Sequence, residues 1–76
     1  MKEIMLNDHY ARAEFRHYGD QMWISVTKWP ECYHMNIINL SIKDPFSKMR
    51  VVERKRLSTI NRHVEQYDIK FVEVEA

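Results

Sequence analysis

The sequence predicts an α+β domain of two layers, a small and mainly antiparallel sheet covered on one face by one helix. The sheet is expected to be a three-stranded meander plus a C-terminal strand. Three observations carry this reading. Residues 10–18 and 21–29 alternate apolar and polar side chains on either side of Gly19-Asp20. Residues 47–67 recur apolar at three- and four-residue steps, and residues 69–75 read as a last short strand. Length and composition agree, because 76 residues suffice for one hydrophobic core and not for two. Residues 1–76 therefore read as a single binding domain.

Ile4-Met5-Leu6 adds a few extended residues. In the next stretch Ala11, Ala13 and Phe15 alternate with Arg12, Glu14 and Arg16, and Met22, Ile24 and Val26 alternate beyond the turn. Gly19-Asp20, with glycine first, suits a two-residue type II′ loop. That loop sets Phe15 opposite Ile24, Ala13 opposite Val26 and His17 opposite Met22. On the other side it sets Arg16 opposite Trp23. The competing arrangement is a helix over residues 8–18, capped by Asn7 or Asp8 and stopped by Gly19. Turn chemistry and alternation agree on the hairpin without adjustment, which favours it.

Pro30 makes residues 29–32 a connection. Tyr33 to Lys43 reads as a third strand with a bulge near Asn36–Ile38, where the apolar parity changes. Asp44 or Ser47 caps a helix that tolerates Pro45 in its first turn and runs from about 47 to 67. Its stripe is Met49, Leu57, Ile60, Val64 and Tyr67; Glu53 interrupts it and Val51 falls almost opposite. Residues 69–75 form a last strand at an edge, where Glu73 and Glu75 discourage further pairing.

Composition removes several classes of function. Twelve Lys/Arg against eleven Asp/Glu leave a net charge of +1, too little for a polycation that holds nucleic acid by charge alone. One cysteine, Cys32, excludes a disulfide framework and any multi-cysteine zinc module. One glycine excludes a glycine-rich phosphate loop. No apolar run approaches the roughly 18 residues of a membrane helix. The N-terminus is too short and polar for a signal peptide. A complete, reduced chain in the cytoplasm, or the host cytoplasm if phage-encoded, is the expectation.

Candidate chemistry is sparse. Cys32-Tyr33-His34 places a thiol and an imidazole two residues apart, on one side of an extended segment, yet nothing marks an oxyanion hole. His9, His17, His34 and His63 are scattered, with no two at ligand spacing on one helix face. Arg56 and His63 match a loose spacing found in some helical ribonucleases, but basic helices produce it by chance. No catalytic set, metal or cofactor is expected.

Two surfaces remain. Residues 44–67 hold six basic side chains against three acidic ones, and Lys48, Lys55 and Arg62 recur every seven residues along one stripe. The sharper signal is the sheet face that no second helix covers. If Phe15 and Ile24 face the helix, then Tyr10, Arg12, Arg16, Tyr18, Trp23 and Trp29 point away, joined by Tyr33, Met35 and Ile37 before the bulge. Aromatic rings interleaved with arginines are the composition of protein interface anchors and of stacking platforms for single-stranded nucleic acid. Residues Ile4–Leu6 folding over this face would be the bland alternative.

The acidic C-terminal strand and near-zero charge favour protein binding over RNA binding. The partner expected is a host macromolecular complex, with a homodimer through the open face as an alternative. For a small cytosolic chain without catalytic residues, size alone suggests a phage or mobile-element inhibitor that occludes a host machine such as a defence complex.

Overall fold

Alternation builds the strands of the computed structural model, which describes residues 1–74. The strands are β1 (Lys2–Leu6), β2 (Tyr10–His17), β3 (Asp20–Lys28), β4 (Tyr33–Asn39), β5 (Met49–Arg54) and β6 (Ile69–Glu73). Between them lie the helices α1 (Pro45–Lys48) and α2 (Leu57–Arg62), and a 3₁₀ turn over Glu65–Tyr67. Strands β2-β3-β4-β5 form an antiparallel sheet in that order, and β1 pairs in parallel with β6 as a separate ribbon. The protein is thus α+β with a mainly antiparallel sheet, as expected, but its second half is laid out differently.

The hairpin β2–β3 forms, and its register is shifted. Tyr18 and Gly19, not Gly19 and Asp20, are the central turn residues, and both have positive φ, 50° and 85°. Two positive φ values are what a type I′ turn requires, and its twist matches the flanking strands. Phe15 therefore pairs with Met22, Ala13 with Ile24, and Glu14, rather than Arg16, with Trp23. Moving the turn by one residue moves every partner by two. Because side chains alternate with period two, both faces keep their expected members. Asp20 is held in its strand by Asn39, whose Nδ2 donates to its carboxylate at 3.1 Å. A second two-residue turn joins β1 to β2 at Asp8 and His9, again with positive φ, which Asp and His tolerate better than most residues.

The long helix from 47 to 67 is absent. Asp44 does cap a helix, accepting from the Phe46 N–H at 3.0 Å with Pro45 in the first turn, but that helix ends at Lys48. The chain then enters β5, where Val52 points into the core and pairs with Met35 of β4. Basic side chains and three- and four-residue spacing favour a helix locally. A partner for the half-apolar edge of β4 outweighs that preference. The parity change in the third strand marks no bulge: β4 pairs without interruption on both sides and ends at Asn39, and Ile38 simply faces away from the core. Leu57, Ile60, Val64 and Tyr67 do all reach the core, but from α2, the following turn and the 3₁₀ segment. The C-terminal strand pairs with β1 and not with the sheet. Glu75 lies outside the described residues.

One core results. Ala11, Ala13, Met22, Ile24, Val26, Met35, Ile37 and Val52 supply it from the sheet; Leu6, Ile60, Val64, Ile69 and Phe71 supply it from the layer above. Phe71 is the largest side chain fully out of solvent, so Phe71→Ala is expected to cost about 3–5 kcal/mol. The β1–β6 ribbon is fastened to α2 by one side chain. Asn61 Nδ2 donates to the Phe71 carbonyl at 2.9 Å, and the Phe71 N–H donates to Asn61 Oδ1 at 2.8 Å. Asn61→Ala leaves both backbone groups without a partner and is expected to cost about 1–3 kcal/mol in urea unfolding. A loss below about 0.5 kcal/mol, the level of an ordinary surface substitution, would show that the amide does not fasten the ribbon.

Candidate functional site

Register alone assembles the uncovered face of the four-stranded sheet. Three rows cross it: Glu14, Trp23, Ile38 and Met49; then Arg12, Ser25, Asn36 and Val51; then Tyr10, Thr27, His34 and Glu53. No side chain of these rows is buried. Ile4 and Leu6 pack with the core on the opposite side, so the intramolecular cover considered for this face does not form.

Trp23 is the half-buried centre of the face, and the Arg12 guanidinium sits 4.8 Å from its ring centroid. Arg12 reaches diagonally across the hairpin to do so, and also pairs with Glu14 at 3.7 Å. Half-buried Ile38 lies beside Trp23, and Met49 and Val51 extend the apolar surface to the β5 edge at 54% and 58% exposure. Met49 and Val51 are also the apolar side chains that an edge strand normally avoids.

The other sequence-chosen residues scatter. Arg16 is exposed beside the turn, opposite Gln21, and so does not shield Trp23. Tyr18 is at the turn tip, 95% exposed, with its ring edge-on to His17 rather than on the sheet. Met35 and Ile37 are core residues. Tyr33 shares their side, packs against the core and donates its hydroxyl to Glu73, which Lys28 also contacts at 3.0 Å. Lys48 ends α1, Lys55 follows β5 and Arg62 ends α2, so the seven-residue stripe does not exist. Arg56 and His63 flank opposite ends of α2.

Trp29 is exposed in the connection after β3, and its ring centroid lies 5.8 Å from that of His34. This end of the face adds Glu53 to the Cys32 and His34 pair legible in the sequence. His34 Nε2 meets Glu53 Oε1 at 2.5 Å, and the Cys32 thiol donates to the same oxygen at 3.6 Å. Helical spacing over residues 47–67 separates Glu53 from His34, its partner across the ladder, and Val51-Val52 is the local signal for a strand. The thiol rests on the carboxylate and not on the imidazole. Desolvation, then Glu53 and Glu31, push its pKa up, the opposite of an activated nucleophile. His34 and then Cys32 hold the Glu53 carboxyl below the usual range.

Comparison with known protein families, curated proteins and solved structures gives no match to this chain.

The Tyr33–Glu73 contact makes stability depend on alkaline pH. Desolvation, followed by the hydrogen bond to Glu73, raises the Tyr33 hydroxyl to about 12. A raised folded pKa contributes stability that is complete below the ordinary tyrosine value of about 10 and is lost as the pH climbs through the folded value. Wild type is therefore expected to exceed Tyr33→Phe in urea midpoint at pH 8 and to lose that advantage between about pH 10 and 12. A gap that stays constant over this window would place the tyrosine's contribution in packing alone.

Proposed function

We propose that this protein is a non-enzymatic binding module that docks a protein partner on the uncovered sheet face. The supporting observation is Trp23, half-buried, braced by Arg12 and continuous with Ile38, Met49 and Val51 out to a free sheet edge. Tryptophan, arginine and methionine are enriched at interface centres, where a few rigid anchors carry most of the affinity. The unpaired backbone of β5 adds hydrogen-bonding groups along the same border. Signs alternate on the face, with Arg12 beside Glu14 and with Glu53 at its far corner. That pattern suits a protein surface better than a phosphate backbone, which asks for cations throughout. Its role in this reading is occlusion of a surface on a larger host assembly, a defence complex in the phage or mobile-element setting. Among the described residues no helix is long and apolar enough to cross a membrane.

The contact set differs from the sequence-derived one. Trp23 and Arg12 remain central and Trp29 lies at the rim. Met49 and Val51 join them, while Arg16, Tyr18, Tyr33, Lys48, Lys55 and Arg62 leave. Trp23→Ala and Val51→Lys are expected to keep the wild-type melting profile to within a few degrees. Each should weaken partner capture by about 2 kcal/mol or more, roughly 30-fold, whereas Arg16→Ala costs a few tenths. The measurement is an affinity capture from native-host lysate, followed by titration of the recovered protein against each variant. Undiminished capture by folded Trp23→Ala rejects the face. Recovery of RNA or DNA alone, lost steeply with salt, replaces the reading with nucleic-acid binding.

A further inference from the structure

We propose that Cys32, His34 and Glu53 form a three-ligand zinc site whose fourth position is open. The ligand atoms are Cys32 Sγ, His34 Nε2 and a Glu53 carboxylate oxygen, all within 4.8 Å of one another. Two stretches of backbone bring them together. Cys32 closes the turn after β3, where the Trp29 N–H donates to its carbonyl at 2.8 Å. His34 lies two residues on in β4, and Glu53 is its direct partner across the β4–β5 ladder. The positions are therefore set by strand pairing, and only the side-chain torsions remain to adjust.

The spacing is close to what the metal needs, though the thiol and imidazole, within 4.8 Å of each other, have to draw together onto the ion. Tetrahedral zinc with bonds of about 2.3 Å to sulfur and about 2.0 Å to nitrogen or oxygen holds its ligand atoms about 3.3–3.6 Å apart. The sulfur-to-carboxylate distance already has that value at 3.6 Å. The imidazole and carboxylate, now hydrogen-bonded at 2.5 Å, need to part by a little under about 1 Å to admit the ion. Glu53 can supply that movement, because its side chain is 63% exposed.

The donor set selects the metal. A thiolate with an imidazole excludes magnesium and calcium, which take oxygen ligands, and one carboxylate completes a set that neutralises a divalent charge. Binding releases the thiol proton of Cys32 to solvent and requires the Nε2 proton that His34 donates to Glu53 to leave that nitrogen, passing by way of solvent to Nδ1 in a neutral ring or lost to solvent from an imidazolium. The ion then replaces the hydrogen bond between His34 and Glu53. A shallow cleft lined by Glu31, Cys32, Glu53, Arg54 and Lys55 gives solvent access to the sulfur. The Trp29 ring lies against His34 and limits the imidazole's orientations. The fourth position faces solvent at the corner of the open sheet face. This inference is independent of the docking role proposed above, since it rests on three side chains and their register.

The test titrates the full-length reduced protein with cobalt(II), whose thiolate complexes absorb where the free ion does not. One ion per chain is expected to bind, with thiolate-to-cobalt charge-transfer absorption in the near ultraviolet and the visible bands of a tetrahedral ion. Stoichiometric zinc should abolish both signals. Cys32→Ser is expected to remove the charge-transfer band, and His34→Gln or Glu53→Gln to weaken binding at least about 10-fold. His9→Gln should leave binding unchanged. A second readout needs no variant: saturating zinc should slow iodoacetamide alkylation of Cys32 at least about 10-fold, and magnesium should not. Absence of the charge-transfer band, its survival in Cys32→Ser, or an alkylation rate indifferent to zinc each overturns the site.

Discussion

The upper layer of this protein depends on one amide. A two-stranded ribbon is marginal by itself, and β1–β6 has only five residues in each strand. Its apolar side chains, Ile4, Leu6, Ile69 and Phe71, hold it to the sheet without fixing its direction. Direction comes from Asn61. The Lys2 N–H bonds to the Asp68 carbonyl at 3.1 Å, which starts a parallel ladder that leaves the Phe71 peptide groups on the other side of β6. The Asn61 side chain meets both of them, as a neighbouring strand would, and so joins α2 to the ribbon edge. A six-residue helix, too short to be stable alone, and a ribbon in the same position become one layer.

That layer determines what the rest of the chain can do. Helix α2, the 3₁₀ turn and the ribbon together cover one face of the four-stranded sheet. Among the described residues the chain then has only α1, four residues beside β5, outside that layer. An open antiparallel sheet usually presents polar residues to water. Here the outward rows contain Trp23, Ile38, Met49 and Val51, with Arg12 laid over the tryptophan. Several of these are poor choices for a purely solvated surface, and their grouping in adjacent rows is the physical reason to regard the face as a contact surface.

The sequence carried the period of each segment more clearly than its partner. The faces of β2 and β3 were legible because alternation is local, and they survive a misplaced turn. The pairing was not: whether Tyr18-Gly19 or Gly19-Asp20 forms the loop depends on Asp20 finding Asn39 and on His17 finding the Tyr67 ring. Residues 57–67 were legible as core-facing because Leu57, Ile60, Val64 and Tyr67 keep helical spacing through a break between helices. Residues 49–54 read as helix because the apolar steps of residues 57–67 extend back across Glu53 to Met49. Only the exposed edge of β4, a fact about distant residues, makes them a strand. The error on β5 accounts for the missed parts of the site: Met49 and Val51 lay on the wrong element, and Glu53 was separated from His34.

The same strand explains why the corner at Cys32 matters to the face. β5 is paired along one edge only, and Val52 is its one buried side chain. On the core side of the sheet Arg50 and Arg54 lie near His63. Burial first, then Arg54 and Arg50, push that imidazole below its usual value, so like charges gather where the strand meets α2. Glu53 is the strand's only carboxylate, and it points the other way, to His34 and Cys32. Beyond the backbone ladder, the side-chain contacts that tie this end of β5 to the chain around β4 are those of Glu53 with His34 and Cys32, the three side chains whose geometry suits a metal ion. Anything that strengthens that corner steadies the strand carrying Val51 and Met49. The apolar border of the face and the polar corner are in this sense one mechanical unit, joined through six residues of edge strand.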